Sequence, residues 1–219
     1  MPQVRFPSRD GTSLCGRLTT PASPNGGLAV LCHPHPEHGG SMDAWMLPFL
    51  QRLLVEDGWI GLRFDFRGAG ASDGSFDRGR SEQGDVAAAI DHLRGEAPAG
   101  RPLLLGGWSF GAAVSLQHAL SDDRVDAWFG VGFPHRTGMD DVPATSEASL
   151  HDWDVPKLFV HGSDDQFTDL ERIEGLVEVA ADPVELVTID GGDHYLADRR
   201  DELGDAVRSF ARRVLQGGA

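Results

Sequence analysis

Two serines lie between glycines in a pattern that favours a reactive hydroxyl. G-x-S-x-G occurs at 70–74 as GASDG and at 107–111 as GWSFG. A nucleophilic serine on a sharp strand-to-helix turn has strained backbone angles, and the flanking glycines avoid collisions there. Ser109 follows the apolar run LLLGG and precedes small residues typical of a closely packed helix, whereas no convincing helix follows Ser72. We therefore predict that Ser109 is the nucleophile and that Ser72 belongs to a structural turn.

A serine nucleophile needs a histidine as general base and a carboxylate that orients this histidine. Both follow predicted strands later in the chain, with His194 in GGDHY and the adjacent Asp164 and Asp165 in HGSDD. The order serine, aspartate, histidine is the one that accompanies a serine on a strand-turn-helix elbow. We predict that His194 is the base, and the residues alone leave both aspartates open as its partner.

The segment HPHPEHGG, residues 33–40, contains three of the nine histidines of the chain. A metal site, a catalytic base and a loop of unusual composition are the three interpretations. Zinc needs further histidine or carboxylate ligands that converge on a fixed scaffold, and no partner motif is evident in the sequence. We therefore expect no metal ion and no other cofactor, and incidental loop histidines stay an alternative to a role at a site.

The elements that would position these residues alternate along the chain. Apolar runs and turn signals predict helices at 43–57, 109–120, after Ser81 and near the C-terminal end, and strands at 3–7, 12–18, 28–32, 58–66, 102–108, 125–133, 156–162 and 184–190. Ser81 is expected to cap its helix. The alternation from residue 28 onward predicts an α/β fold, with a mostly parallel twisted sheet of about eight strands and helices on both faces. In such a sheet the chemistry lies at the carboxyl ends of the strands.

The composition limits the partners and the setting of the protein. The formal net charge is −15, from 34 acidic and 19 basic residues, and a field this negative repels phosphate backbones and anionic lipids. We therefore expect neither nucleic acid nor a membrane as a partner. Cys15 and Cys32 suit buried free thiols in a reducing compartment, and no segment resembles a signal peptide or a membrane span. The expected location is the cytoplasm, and residues 1–219 are expected to form a single domain.

The motifs, taken in order, resemble the α/β-hydrolase superfamily, and more closely its small bacterial serine hydrolases with a short or absent lid. The resemblance covers nearly the whole chain and rests on CHPHP followed by GG, RFDFRGAGASDG, GGWSFGAA, LFVHGSDDQF and GGDHY. It implies an α/β-hydrolase fold. The aspartate that ends H-G-x-x-D in this family maps onto Asp165, with Asp164 serving the turn. The family also commonly carries the RGAGASDG turn, which accounts for the second serine pattern.

The resemblance also implies where the oxyanion of an acyl-transfer reaction would be bound. One donor would be the backbone N–H of Phe110, directly after the nucleophile, and the other would come from the loop 33–40. By family position the N–H of His35 is the expected second donor, because Pro34 has no N–H. The imidazoles of this loop would then line the mouth of the site.

The expected reaction is hydrolysis of a small carboxylic ester through an acyl-enzyme on Ser109. Thioesterase and peptidase or amidase activity use the same triad and stay open, as does a non-catalytic binding protein that retains the fold. The interval 132–154 is too short for a large lid, so we expect an open or lightly covered site. The residues expected to line the pocket for a small acyl substrate are His33, His38, Trp108, Phe133 and Tyr195. The oligomeric state cannot be predicted from the sequence.

Overall fold

A single eight-stranded sheet forms the centre of the molecule. The structure is a computed structural model that describes residues 3–24, 26–135 and 141–217. Its strands are β1 Gln3–Pro7, β2 Ser13–Thr19, β3 Leu28–Cys32, β4 Ile60–Asp65, β5 Leu103–Trp108, β6 Ala127–Val131, β7 Lys157–Gly162 and β8 Val184–Ile189. Its helices are α1 Met46–Glu56, α2 Glu82–Gly95, α3 Phe110–Ala119, α4 Glu147–His151, α5 Leu170–Val179 and α6 Arg200–Leu215, with a 3-10 turn at Pro36–His38.

The strand order is β1-β2-β4-β3-β5-β6-β7-β8. The two pairs that involve β2 are antiparallel, and all pairs from β4 to β8 are parallel. In the centre, Val30 of β3 pairs with Leu62 of β4 and with Leu105 of β5. The predicted α/β-hydrolase fold, with a mostly parallel sheet of about eight strands, is therefore confirmed.

The sheet separates two hydrophobic layers. Residues of α1 and α6 pack on one face, whereas residues of α2, α3, α4 and α5 pack on the other. The central strands β3, β4, β5, β6 and β7 are buried along their whole length, which is why they read as continuous apolar runs rather than as alternating patterns. Parallel strands buried on both faces hold their carboxyl ends in fixed positions, and the site is built there.

The structure differs from the prediction at the start of α2. Ser81 makes no cap hydrogen bond to the helix, and its hydroxyl instead donates to the carboxylate of Asp77. The two acids of the first turn are buried. Asp85 accepts hydrogen bonds from the guanidinium of Arg67, and Glu82 accepts one from the backbone N–H of Asp77. The acids therefore tie the helix to the turn after β4 in addition to facing its positive end.

The interval between β6 and β7 has the short form expected of a protein without a large lid. Among its described residues the only helix is α4, which is five residues long. No helix in the described part of the chain is long and apolar enough to cross a membrane. Cys15 and Cys32 are buried and carry free thiols.

Candidate active site

Ser109 stands on a strained turn between β5 and α3. Its φ of 54° lies in the left-handed region and its ψ is −120°. The two glycines of the pattern permit the close approach of the backbone, because a Cβ at Gly107 would lie 2.3 Å from the carbonyl carbon of Gly111. A Cβ at Gly111 would lie 2.3 Å from the carbonyl oxygen of Cys32, at the end of β3. The elbow therefore packs directly against the start of loop 33–40.

Asp165 and His194 form a buried pair near this elbow. His194 Nδ1 lies 2.7 Å from Asp165 Oδ2, and Asp165 Oδ1 accepts the backbone N–H groups of Phe167 at 2.8 Å and Thr168 at 3.1 Å. Burial opposes the ionisation of Asp165, but the hydrogen bond and charge of His194, together with the Phe167 N–H, outweigh it and lower the pKa of this carboxyl. Asp164 is exposed and accepts the hydroxyl of Ser163. Asp165 is thus the aspartate that meets the imidazole.

Backbone contacts fix the position of His194. The indole N–H of Trp108, the residue before Ser109, donates to the carbonyl of His194 at 3.2 Å. The backbone N–H of His194 donates to the side chain of Gln166 at 3.2 Å. A Cβ at Gly132 would lie 3.0 Å from Nδ1 of the imidazole, so the missing side chain there leaves room for the ring. The elbow and the loop that carries His194 are therefore linked directly.

Ser109 and His194 both line a cavity of about 470 Å³. Its other lining residues are Pro34, His35, His38, Gly39, Gly40, Ala44, Trp108, Phe110, Pro134, Asp141, Val142, Phe167, Thr168 and Tyr195. Phe167 is 41% exposed and Tyr195 45% exposed, and their rings meet edge to face at 6.4 Å beside His194. Large exposed aromatic side chains at a cavity mouth mark a surface that binds apolar groups.

The two expected oxyanion donors lie on this cavity. His35 and Phe110 both line it, and their rings meet edge to face at 5.2 Å. Among the described residues, the backbone hydrogen bonds of turns and loops use neither N–H. The carbonyl of His35 accepts the N–H groups of His38 and Gly40 at 3.1 and 2.9 Å, which folds the loop back on itself. A tetrahedral oxyanion requires two N–H donors placed next to the nucleophile, and these two residues share the cavity with Ser109.

His33 does not line the cavity, contrary to the prediction. It is fully buried, and its Nε2 accepts the N–H of Phe66 at 3.0 Å. Its Nδ1 therefore carries the proton and donates to the carbonyl of Pro34 at 2.6 Å. Burial lowers the pKa of His33 to about 4. The imidazole thus joins loop 33–40 to the end of β4 and has a structural position.

Phe133 also lies outside the cavity lining, in a correction to the sequence prediction. It is buried in the core, with its ring edge to face with Trp128 at 6.0 Å and with Phe159 at 5.6 Å. Its side chain belongs to the hydrophobic layer that contains residues of α2, α3, α4 and α5. The other three expected pocket residues, His38, Trp108 and Tyr195, do line it.

Ser72 occupies the structural turn that the sequence predicted. Its hydroxyl donates to the carbonyl of Asp65 at 2.6 Å and accepts the N–H of Cys15 at 2.9 Å. The Asp65 carboxylate accepts the N–H groups of Met42 at 2.8 Å and Ala71 at 3.1 Å. This turn therefore holds β2, β4 and the segment after the loop 33–40 together.

Asp141 and Phe167 are among the lining residues that the sequence prediction missed. Asp141 and Phe167 reach the cavity from loops whose path no local pattern determines. Phe167 does fall within the motif LFVHGSDDQF, two residues after the buried Asp165. This position in the sequence could have indicated a residue of the cavity wall. Among the described residues, no group of three or more histidines, cysteines and acids could hold a metal ion.

A second cavity, of about 400 Å³, lies between α2 and the end of α3. Arg124 bonds there to Asp122 and Asp91, and His118 bonds to Asp122. None of Ser109, Asp165 and His194 lines it. The cavity at the elbow is therefore the candidate active site.

Known proteins share this architecture. The protein RP471 of Rickettsia prowazekii (strain Madrid E) is 28% identical over 215 residues, which cover 96% of this chain and 88% of that protein. XC6422 of Xanthomonas campestris, described as an α/β serine hydrolase without lid, is 28% identical with a TM-score of 0.82, covering 97% of this chain and 94% of that chain. ATU1826 of Agrobacterium tumefaciens is 26% identical with a TM-score of 0.82, covering 99% and 97%. The model of the alpha/beta hydrolase domain matches residues 29–215, and the chain belongs to this family.

Proposed function

We propose that this protein is a serine hydrolase that cleaves small carboxylic esters through an acyl-enzyme on Ser109. The observation that carries the proposal is the shared cavity. Its lining includes Ser109, which has a φ of 54°, and His194, whose Nδ1 lies 2.7 Å from the buried carboxylate of Asp165. The kinship with XC6422, described as a serine hydrolase, supports the same chemistry.

The proposed reaction has two halves, and in each a proton moves through His194. Asp165 occupies Nδ1, so Nε2 is the nitrogen that takes the proton of Ser109 as Oγ bonds to the substrate carbonyl carbon. The N–H groups of His35 and Phe110 bind the oxyanion of the tetrahedral intermediate. The C–O bond to the alcohol then breaks as Nε2 returns the proton to the leaving oxygen. Water attacks the acyl-enzyme in the same way and restores the serine.

The cavity favours an uncharged or cationic ester over a coenzyme A thioester. Coenzyme A carries phosphate groups, which proteins bind with arginine or lysine. The described residues that line the cavity include neither, and the net charge of the chain is −15. The aromatic side chains of Trp108, Phe167 and Tyr195 offer an apolar wall instead. We therefore propose a small-molecule acyl substrate, no nucleic acid or membrane partner and, with both thiols free, a cytoplasmic location.

A substrate panel tests the proposal. We expect p-nitrophenyl esters of acetate to octanoate to be hydrolysed, with kcat/KM well above that for the matched thioesters and anilides. Ser109→Ala is the inactive control, and Ser72→Ala is the matched control at the other G-x-S-x-G serine. Turnover of thioesters or amides but not of esters would show that the substrates are not carboxylic esters. Hydrolysis that survives in Ser109→Ala would remove the proposed mechanism altogether.

A further inference from the structure

One part of the cavity wall carries a carboxylate in contact with a buried imidazole. Asp141 Oδ2 lies 3.2 Å from Nε2 of His35, and both residues line the cavity that contains Ser109. The side chain of Asp141 is 40% exposed, whereas that of His35 is only 9% exposed. The carboxylate therefore rests on a buried ring on one side and faces solvent on the other.

The imidazole of His35 is buried in this wall, and Asp141 is its polar contact among the described residues. Among the described residues, neither of its ring nitrogens, both of them buried, has a hydrogen bond of acceptable geometry, although Nε2 is close to Asp141. The ring stacks on His38 at 4.4 Å and meets Phe76 edge to face at 4.7 Å. Burial, and then the charge of His38, lower the pKa of His35. A neutral imidazole supplies no positive charge to Asp141.

The surroundings of Asp141 favour a cation from the substrate as its partner. Asp141 is the acidic residue of the described lining, which has neither lysine nor arginine. A carboxylate in a partly closed cavity interacts more strongly with a cation than one on an open surface, because water screens it less. Trp108, Phe167 and Tyr195 line the same cavity, and aromatic faces also attract ammonium groups.

We propose that Asp141, seated against His35, forms a subsite for a cationic amine, so that preferred substrates are esters that carry an ammonium group. This inference rests on the proposed esterase function and specifies its substrate class. His35 would then have two separate tasks, since its backbone N–H faces the oxyanion and its side chain supports the carboxylate. The same arrangement would disfavour esters of dicarboxylic acids.

Matched ester pairs that differ only in charge test this subsite. Choline butanoate is compared with its uncharged isostere, in which a quaternary carbon replaces the nitrogen. A second pair places the trimethylammonium group, or its carbon isostere, at the end of the acyl chain of a p-nitrophenyl ester. Uncharged p-nitrophenyl butanoate reports basal activity. The value measured is the ratio of kcat/KM within each pair, which cancels any change in the amount of folded enzyme.

We expect the wild type to prefer the cationic member of at least one pair by about tenfold at low ionic strength, and Asp141→Asn to bring that ratio to about one. Asp123→Asn removes the same charge from an exposed residue just beyond the end of α3 and should keep the preference. A ratio near one in the wild type, or an equal ratio in wild type and Asp141→Asn, would overturn the subsite. An equal loss of the preference in Asp123→Asn would also overturn the subsite, because the preference would then come from the net charge of the protein. Failure to hydrolyse p-nitrophenyl butanoate as well would instead overturn the proposed function.

Discussion

The turns at 70–74 and 107–111 have the same glycine pattern but different surroundings. In the first, the Ser72 hydroxyl is used twice, as a donor to Asp65 and as an acceptor from the N–H of Cys15. In the second, the Ser109 side chain makes no cap hydrogen bond to its helix and borders a cavity with His194. The pattern therefore specifies a sharp turn, whereas the neighbours of the serine determine whether its hydroxyl is available for chemistry.

The aspartates beside the two turns differ in the same way. Asp65 and Asp165 are both buried, and each accepts two backbone N–H groups. Burial raises the pKa of Asp65, with those two hydrogen bonds opposing it. The pKa of Asp165 is instead lowered, because the hydrogen bond and charge of His194 help to outweigh its burial. An imidazole partner thus separates the candidate catalytic acid from the structural one.

Exchanging each serine for alanine gives the largest expected contrast. Ser109→Ala should lower kcat by about 10⁶-fold, since the residues of a triad act as a unit. Ser72→Ala should leave kcat within about twofold but destabilise the fold by roughly 1–2 kcal/mol, because the buried N–H of Cys15 loses its acceptor. Ester turnover and urea unfolding of both variants measure the two effects. Similar turnover in the two variants would contradict the contrast.

The neighbouring aspartates offer the next contrast. Asp165→Asn should lower kcat by about 10⁴-fold, because an amide cannot hold His194 in the tautomer with its proton on Nδ1. Asp164→Asn should change kcat by less than about threefold, since this side chain is exposed and contacts Ser163. Steady-state kinetics on a p-nitrophenyl ester compare them directly. An equal loss in both, or the reverse order, would move the acid to the other residue.

The last glycines of the two patterns should differ in what their replacement changes, which is catalysis at Gly111 and stability at Gly74. Gly111→Ala pushes a methyl group to within 2.3 Å of the Cys32 carbonyl oxygen. This should displace the elbow from loop 33–40 and lower kcat/KM by about 100-fold. Gly74→Ala has a φ of 81° to maintain and its nearest neighbour at 3.0 Å, so it should cost about 1 kcal/mol in stability and leave kcat unchanged. Unchanged kinetics in Gly111→Ala would mean that the elbow tolerates the shift.

His33 provides the smallest effect, in the dependence of stability on pH. Its folded pKa of about 4 lies below the ordinary value of 6.5, so the unfolded chain takes up the proton first as the pH falls. The contribution of this group to the free energy of unfolding is complete above pH 6.5 and is lost as the pH falls toward 4. At pH 5 the loss is about 2 kcal/mol. His33→Asn should be less stable than the wild type at pH 7.5 by about 2 kcal/mol. The gap should narrow by a similar amount at pH 5 in urea unfolding, and a constant gap would contradict this account.

Much of the fold could be predicted, because buried parallel strands are continuous apolar runs. All eight strands lie within a few residues of their predicted positions. The helix Leu170–Val179 was not predicted, although Leu170, Ile173 and Leu176 recur at helical spacing. Its other face is exposed, and the valines near its end also suit a strand. Ser81 does occupy the N-cap position of α2, but its hydroxyl bonds to the nearby Asp77 instead of to the helix.

The site was predictable where a motif fixes both residue type and turn geometry. Ser109, Asp165 and His194 follow β5, β7 and β8, and the structure brings Asp165 and His194 into contact. The pocket wall was less predictable. His33 and Phe133 are separated from cavity residues by one or two positions, and which side chain faces inward depends on the path of the loop. Asp141 reaches the cavity through tertiary packing alone.

Labelling with a fluorophosphonate probe, followed by peptide mapping, shows whether Ser109 is an activated nucleophile. The probe forms a phosphonyl ester with a serine only where a base and an oxyanion site activate the hydroxyl. We predict a single adduct on Ser109, none on Ser72, and no labelling of Ser109→Ala or of heat-denatured protein. An unlabelled wild type, or an adduct that persists in Ser109→Ala, would contradict it.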